Sequence, residues 1–171
     1  ISAQARYILS ASNDNKLRLW ELDSAKRIRV FEGHAGPVRG CSINSKSSRA
    51  LSASSDRTLR VWALDSSRYP SPRERHSGNV NSCAINHDRQ LALSASNDTT
   101  LRLWNLASGK CRKILEGHSS AVRSCSISLD GRQALSASDD KTLRLWDLDS
   151  GQIIWTLQGH SGPVRDCAIS L

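Results

Sequence analysis

The chain has 171 residues, which is enough for one domain with a buried core. Its 24 Lys and Arg residues outnumber its 16 Asp and Glu residues, so the formal net charge is +8 and acidic partners are favoured. No apolar stretch is long enough to cross a bilayer and no segment has the order of features of a signal peptide, so we expect a soluble, cytoplasmic protein.

A unit of 42 residues recurs four times, and we place the repeats at 1–42, 43–84, 85–126 and 127–168. Four residue types keep this spacing throughout: Trp20, Trp62, Trp104 and Trp146; Asp14, Asp56, Asp98 and Asp140; His34, His76, His118 and His160; and Cys41, Cys83, Cys125 and Cys167. A period of this length is typical of domains in which similar supersecondary units pack side by side.

Four short strands are predicted in the last unit, at 133–138, 142–146, 153–157 and 163–170. The second, "TLRLW", alternates apolar and polar residues as a strand does when its two faces meet different surroundings. The "DDK" before it is a turn, and "IIWTL" is rich in the β-branched and aromatic residues that strands favour. In "PVRDCAIS", Val164 is out of phase with Cys167, which predicts a β-bulge near Arg165.

Four strands in each unit and no helical pattern predict an all-β protein. A four-stranded sheet of about 42 residues cannot bury both of its faces, so neighbouring sheets must cover them. We therefore predict a β-propeller with four blades per chain, each a sheet of four antiparallel strands. The segment with Pro70 and Pro72 is placed at the outer rim, because an edge strand tolerates proline.

The repeats resemble those of the WD-repeat family. The stretch "EGHSSAVRSCSIS" followed by "ALSASDDKTLRLWDL" is similar to a full family repeat, with Gly117-His118 near its start and Trp146-Asp147 near its end. The resemblance covers the whole chain. Departures from the family pattern fall at variable positions: Arg75, Glu21, Ala63 and Asn105.

Each unit contains Ser, His and Asp, the residue types of a hydrolase triad. A nucleophile needs one such set, so four sets argue against catalysis and predict a protein that is not an enzyme. The resemblance implies instead that His, Ser, Asp and Trp form one buried, hydrogen-bonded tetrad in each blade. Counting 18, 22 and 28 residues on from each His gives three tetrads: His34, Ser52, Asp56 and Trp62; His76, Ser94, Asp98 and Trp104; His118, Ser136, Asp140 and Trp146.

The fourth tetrad joins the two ends of the chain, because the same count pairs His160 with Ser10, Asp14 and Trp20. The strand at 163–170 would then complete the blade that begins at the N-terminus. This closure can be made within one chain, to give four blades, or between two chains, to give eight; the absence of Met also fits a piece of a longer repeat array. We favour a head-to-tail homodimer, because an angle of about 45° between blades disturbs the interdigitated packing least.

Two kinds of site are not expected. The repeated cysteines lie in apolar stretches, which predicts small hydrophobic side chains rather than disulfides. The histidines and cysteines lack the closely paired ligands of a zinc site, so we expect no metal and no cofactor.

The resemblance implies that two positions of each repeat point to the mouth of the central channel. These are Arg39, Asn81, Arg123 and Arg165 in the bulged strand, and Asn13, Ser55, Asn97 and Asp139 before the turn Asp. Three Arg side chains near one axis favour an acidic peptide or another anion as ligand. The alternative is a solvated surface on which the Arg stems pack against neighbouring blades. A second set, in the "LRLW" strands, is expected to cover the interfaces between blades: Arg18, Arg60, Arg102 and Arg144.

Three functions are open at this point. The leading hypothesis, implied by the resemblance, is a non-enzymatic scaffold that presents a rigid propeller surface to protein partners. Nucleic-acid binding is suggested by the net charge, but the chain lacks interleaved exposed aromatic residues and a helix that could enter a groove. The third hypothesis is a purely structural repeat domain of a larger protein.

Overall fold

The computed structural model describes residues 6–44, 48–64, 74–86 and 88–169, and all regular structure within them is β. The strands form four antiparallel sheets, which agrees with the predicted all-β class. Sheet 1 contains β1 (Tyr7–Ala11), β2 (Leu17–Glu21) and β3 (Arg27–Phe31), and sheet 2 contains β4 (Val38–Ile43), β5 (Arg49–Ser54) and β6 (Leu59–Ala63). Sheet 3 contains β7 (Val80–Asn86), β8 (Leu91–Ser96), β9 (Leu101–Asn105) and β10 (Cys111–Leu115). Sheet 4 contains β11 (Val122–Ile127), β12 (Gln133–Ser138), β13 (Leu143–Asp147) and β14 (Ile153–Leu157).

Every sheet is a meander in which each strand pairs with the next one along the chain. Sheets 2, 3 and 4 each straddle one of the predicted repeat divisions, because their first strands, β4, β7 and β11, run across residues 42/43, 84/85 and 126/127. We call these three the inner strands, since they contact one another in chain order. The segment with Pro70 and Pro72 lies outside the described residues.

The hairpins before the "LRLW" strands have one local cause. In sheet 4, Asp140 accepts a hydrogen bond from the Thr142 backbone N–H at 3.0 Å, and Lys141 between them has φ 70°. A carboxylate that bonds the backbone two residues on stabilises a tight turn and a left-handed residue inside it. Sheets 1, 2 and 3 repeat this turn at Asn15, Arg57 and Thr99, with φ between 69° and 70°.

No bulge forms near Arg165, because no strand forms there, but a bulge is present at the equivalent position of each inner strand. The pairing register shifts between Val38 and Gly40, between Val80 and Ser82, and between Val122 and Ser124. The extra residue rotates the valine toward the core, where Val80 and Val122 are completely buried. The next side chain, which is Arg39, Asn81 or Arg123, is thereby left at the end of the sheet.

The core lies between neighbouring sheets. Its three apolar clusters each combine Leu residues of one sheet with the inner-strand valine of the next. Trp104 and Trp146 lie in two of these clusters and are buried against the preceding sheet. A fully buried Leu stabilises such a cluster by about 1.5–3 kcal/mol relative to an exposed one. The five cysteines are free thiols, and burial raises the pKa of Cys83 and Cys125 far above the ordinary value.

The strand predicted at 163–170 is not formed: residues 158–169 contain no strand. A strand requires a ladder partner, and the partner that its repeat position calls for is β1, which pairs only with β2 among the described residues. The segment nevertheless lies against sheet 4 as an inner strand would. Val164 N–H donates to Ser138 O at 3.0 Å, which matches Val38 N–H to Ser12 O at 3.1 Å between sheets 1 and 2.

None of the described segments forms a helix with the length and apolarity that a membrane span requires.

Candidate functional site

The tetrad of sheet 2 is a continuous chain of hydrogen bonds. His34 Nδ1 lies 2.7 Å from Asp56 Oδ2, and His34 Nε2 lies 2.7 Å from Ser52 Oγ. Trp62 Nε1–H donates to the same Ser52 hydroxyl at 2.8 Å. The four side chains come from β5, β6, the turn between them and the segment before β4, so the tetrad ties those elements together.

The other two predicted tetrads within the chain have the same geometry. In sheet 3, the distances from His76 to Asp98 and Ser94 are both 2.8 Å, and Trp104 donates to Ser94 at 2.9 Å. In sheet 4, the corresponding distances are 2.6 Å for His118 to Asp140, 2.7 Å for His118 to Ser136, and 2.8 Å for Trp146 to Ser136. The structure therefore brings together all twelve of these residues.

The pattern of donors assigns the protonation state of each imidazole. Because the Trp N–H donates to the Ser oxygen, the Ser O–H is free to donate to His Nε2, which leaves His Nδ1–H to donate to the carboxylate. Burial lowers the pKa of His34 and His118, with the nearby positive charges of Arg60 and Arg144 acting in the same direction. The imidazoles of His34 and His118 are therefore neutral.

The carboxylates stay charged in the same environment. Burial by itself raises the pKa of Asp56, but hydrogen bonds from Thr58 and His34 lower it to about 2. Asp140 behaves in the same way, with its pKa lowered to about 2 by Thr142 and His118 against the effect of burial. Sequence reasoning missed these threonines, although Thr58, Thr100 and Thr142 recur two residues after Asp56, Asp98 and Asp140.

The tetrads are built as links between strands. The hydroxyl-bearing residues Ser52, Ser94 and Ser136 are completely buried, and each hydroxyl has its hydrogen bonds taken by the neighbouring His and Trp. A nucleophile must reach its substrate, and these oxygens are covered on all sides. The hydrogen bonds of each tetrad instead fix the position of the segment that contains its His.

The fourth predicted tetrad is not assembled within one chain. His160 is exposed, whereas His34, His76 and His118 are buried. At the other end of the chain, Trp20 Nε1–H donates to Ser10 Oγ at 2.9 Å, as in a complete tetrad. Asp14, however, pairs with Arg18 at 2.6 Å, and this contact lowers the pKa of Asp14 to about 2. Within one chain Asp14 therefore has Arg18 as its partner and no imidazole, and closure of this tetrad between two chains stays a prediction.

The eight predicted partner-binding residues lie close to one another along the ends of the sheets. Arg39 Nε–H donates to Ser55 of its own sheet at 2.9 Å, and its Nη1 donates to Asn13 of the preceding sheet at 3.4 Å. Arg123 repeats this pattern with Asp139 at 2.9 Å and with Asn97 at 3.0 Å. Each Arg therefore spans the boundary between two sheets.

The remaining residues belong to the second of these hydrogen-bonded groups, which contains Arg123. Asn81 Nδ2 donates to Asn97 Oδ1 and to Val122 O, both at 2.8 Å. Arg165 Nη1 lies 3.1 Å from Asp139 Oδ1, so Asp139 is shared by two guanidinium groups, and its pKa is lowered chiefly by the hydrogen bond from Arg123. We call these eight residues the rim network: Asn13, Arg39, Ser55, Asn81, Asn97, Arg123, Asp139 and Arg165.

The Arg side chains of the "LRLW" strands lie within the sheets and not at their ends. A Cβ atom added to Gly33 would be 2.8 Å from Arg60 Nη1, and one added to Gly117 would meet Arg144 Nη1. These side chains therefore lie flat on the glycine that precedes the tetrad His. Sequence reasoning also missed Arg89, which bridges sheets 3 and 4 through Gly131 O at 3.1 Å and Asp149 at 3.1 Å.

No group of His, Cys, Asp and Glu side chains in the described part of the chain is arranged to hold a metal ion.

Comparison with known proteins agrees with this geometry. The family described as "WD domain, G-beta repeat" matches residues 25–63, 71–105 and 109–147. A stretch of 39 residues is 46% identical to the "Probable E3 ubiquitin ligase complex SCF subunit sconB" of Talaromyces stipitatus. A stretch of the same length is 41% identical to the "Probable E3 ubiquitin ligase complex SCF subunit scon-2" of Neurospora crassa. Each matched stretch is 23% of this chain and 6% of the relative, so the likeness covers a small part of either relative. The family match and the repeated sheets together show that this chain belongs to the WD40 repeat family.

Proposed function

We propose that the chain is a non-enzymatic scaffold whose rim network binds a protein partner. The observation that supports this most directly is the set of eight polar side chains at the ends of the sheets, which form one hydrogen-bonded group across sheets 1 and 2 and another across sheets 3 and 4. Pre-organised polar groups on a rigid frame recognise a ligand at a low entropic cost. The two fungal relatives are described as subunits of a multi-protein complex, which supports a role in an assembly, and we place that role in the cytoplasm.

The charge of the rim network favours an acidic peptide. It contains three Arg side chains and one Asp, so its net charge is +2, and Arg123 is the one most fully neutralised by Asp139. Arg39 and Arg165 are both exposed, and the Arg165 side chain retains 65% of its accessible surface. These two guanidinium groups have donors that face solvent and suit a carboxylate.

The experiment is a fluorescence anisotropy titration with a labelled hexaglutamate peptide at low and at physiological salt. The double variant Arg39→Glu, Arg165→Glu should weaken binding by about tenfold or more, because it places repulsion where the ligand would bind. The matched control is the double variant Arg112→Glu, Arg132→Glu, which changes the net charge by the same amount, since both side chains are exposed and lie outside the rim network. The control should stay within about twofold of the parent chain.

An equal loss in both variants would mean non-specific attraction to the net charge and would contradict the proposal. The same titration with a single-stranded oligonucleotide tests the nucleic-acid alternative that the charge of +8 suggests. Tighter binding of that probe than of the peptide, with a steep salt dependence, would replace the peptide proposal. Unchanged binding in every variant would contradict the rim network as the binding site, and no binding by the parent chain would favour a purely structural repeat domain.

We also propose that two copies close head to tail into an eight-bladed ring. Two features support this closure. Strand β1 pairs only with β2 among the described residues, and residues 163–169 are docked on sheet 4 without a sheet of their own. Light scattering should report twice the 18.8 kDa of one chain. A mass of one chain at every concentration would contradict closure between copies.

A further inference from the structure

We propose that Ser10, Asp14 and Trp20 of sheet 1 form a receptor site for the Gly159-His160 segment of a second copy, and that the Arg18–Asp14 ion pair is the resting form of this site. The inference rests on the head-to-tail ring proposed above and adds what holds its two junctions. The ligand is defined by its chemistry, as a glycine with positive φ followed by an imidazole.

The Gly159-His160 segment already has the backbone conformation that a complete tetrad requires. Gly159 has φ +137°, close to the +141° of Gly33 and the +151° of Gly117, which precede buried tetrad histidines. At Gly33 and Gly117 an Arg side chain lies on the glycine, whereas nothing is within 4 Å of a Cβ built at Gly159. Only glycine adopts this conformation without strain. Gly159 therefore has the backbone conformation of Gly33 and Gly117 but lacks the Arg side chain that packs against each of them.

The receptor site formed by Ser10, Asp14 and Trp20 lacks only the imidazole of a complete tetrad. Trp20 donates to Ser10 at 2.9 Å, and Trp62 donates to Ser52 at 2.8 Å, so the hydroxyl is already positioned as in a finished tetrad. The pairing register is also the same, with Ser10 opposite Arg18 as Ser52 is opposite Arg60. Asp14 is in the same turn as Asp56 and accepts the equivalent backbone hydrogen bond, from Lys16 at 3.1 Å.

Arg18 is the group that differs between the open and the finished site. In sheet 2, Asp56 accepts from His34 while Arg60 lies against Gly33. In sheet 1, the carboxylate of Asp14 is bonded to Arg18 instead. Binding of Gly159-His160 would give Asp14 an imidazole N–H and would release Arg18 to cover Gly159. Asp14 would then accept a hydrogen bond from an imidazole N–H, as Asp56 does from His34 in the finished tetrad.

The apolar surfaces beside the two halves are also open. Leu157 of β14 is 48% exposed, although its counterparts in β3 and β10, Phe31 and Leu115, are 4% and 1% exposed because the next sheet covers them. On sheet 1, Leu22 is 38% exposed, whereas Leu148 at the same repeat position is 2% exposed. Sheet 1 of a second copy, placed beside sheet 4, would cover both surfaces in one step.

The repeat also defines the register of the new strand pair. In sheet 4, Cys125 is opposite Ser136 and Ile127 is opposite Ala134. Moved by one repeat around the ring, this register places Cys167 of one copy opposite Ser10 of the other, and the Ile169 position opposite Ile8. Ile8 replaces the alanine found at the other three positions, so each junction has one large apolar side chain that the internal interfaces lack.

The test uses two full-length variants, Asp14→Ala and His160→Ala. In a head-to-tail pair, each variant by itself has both junctions damaged. A mixed pair of the two variants has one junction doubly damaged and one fully intact, because the intact Asp14 of one copy meets the intact His160 of the other. Sedimentation velocity should show association weakened by about tenfold or more in each variant alone. The equimolar mixture should associate more strongly than either variant.

Glu32→Ala is the matched control, since it removes an exposed carboxylate of sheet 1 that pairs with Lys16 at 2.7 Å and belongs to no tetrad. This control should associate like the parent chain. Parent-like association in both test variants would overturn the receptor site while leaving the ring proposal intact. Weakened variants that the mixture does not rescue would also overturn it, because the site would not act between copies. A monomeric parent chain would refute the ring itself.

Discussion

Asp14 and Asp56 have the same position in two repeats, yet their carboxylates have different partners. Asp56 is paired with the buried imidazole of His34, and Asp14 is paired with the guanidinium of Arg18. The difference comes from the segment that contains the histidine, which is in place beside sheet 2 and missing beside sheet 1. Residues at the same repeat position can thus have different hydrogen-bond partners, depending on which segment packs beside them.

The first prediction compares two histidines of the same repeat position. His118→Ala should lower the free energy of unfolding by roughly 2–4 kcal/mol, because it leaves the buried Ser136 hydroxyl and Asp140 carboxylate without their partner. His160→Ala should change it by less than about 0.5 kcal/mol in dilute monomer, because His160 is exposed. Urea unfolding followed by tryptophan fluorescence measures both values. Equal losses would show that the tetrad contributes nothing specific.

The second prediction concerns acid. The pKa of His34 and His118 is lowered by burial from the ordinary value of 6.5, so the unfolded chain binds these protons more readily than the folded chain. Their contribution to stability is present above pH 6.5 and is lost as the pH falls through that value. A second loss should begin near pH 4, because the pKa of Asp56 and Asp140 is lowered from 3.8 to about 2.

Urea midpoints measured between pH 8 and pH 5 test the histidine part of this profile. His160→Ala should keep the same dependence, since that imidazole is outside the assembled tetrads. A midpoint that rises as the pH falls from 7 to 5 would show that the imidazoles are charged in the folded state, contrary to the hydrogen-bond pattern derived above.

At the scale of elements, strands differ in how many neighbours they have. Strand β8 pairs with both β7 and β9, and β12 pairs with both β11 and β13. Strand β1 has the same sequence pattern, "YILSA", but pairs only with β2 among the described residues. Since a ladder protects the amides that it bonds, the stability of the same motif depends on its position in the row of sheets.

The third prediction is a difference in amide hydrogen exchange. In dilute protein, amides of β1 should exchange about tenfold or more faster than those of β8, because β1 has an open edge. At concentrations where copies associate, exchange in β1 should slow while β8 is unchanged, since residues 163–169 of another copy would pair with that edge. Exchange in β1 that is independent of concentration would contradict pairing between copies.

At the scale of the whole molecule, the exposed apolar side chains fall into two classes. Ile114 of β10 and Leu157 of β14 are almost equally exposed, at 47% and 48%. Ile114 stays exposed although another sheet follows its own. Leu157 is at a position that is buried wherever a following sheet is present, as at Leu115. Exposure alone therefore does not identify the surface that assembles.

The fourth prediction uses this pair. Leu157→Lys should weaken association by about tenfold or more, because it would bury a charge between sheets of two copies. Ile114→Lys should leave association unchanged, and both variants should unfold within about 0.5 kcal/mol of the parent chain when monomeric. Analytical ultracentrifugation and urea unfolding provide the two readouts. Loss of association in both variants would mean that general surface charge, and not the junction, was being measured.

Much of the fold could be predicted from local pattern. The alternation in "TLRLW" is a property of consecutive residues, so it predicted β13. The phase slip at Val164 predicted a bulge that is present at the equivalent position of the three inner strands, although the strand around Val164 itself is not formed. The membership of the tetrads followed from spacing once the family resemblance was known. The threonines that bond three of the four turn Asp residues could also have been found, because they recur with the same period.

The partners of the repeated residues could not be predicted in the same way. The sequence by itself determined the repeat, the strands and which residue types are available at each position, because these depend on neighbours along the chain. Only the tertiary structure decided that Arg18 binds Asp14 and that His160 is exposed. It also decided that residues 163–169 lie beside sheet 4 without forming a strand. The physical reason is that a hydrogen bond or a buried face requires a partner in space, and each sheet obtains that partner from the sheet next to it.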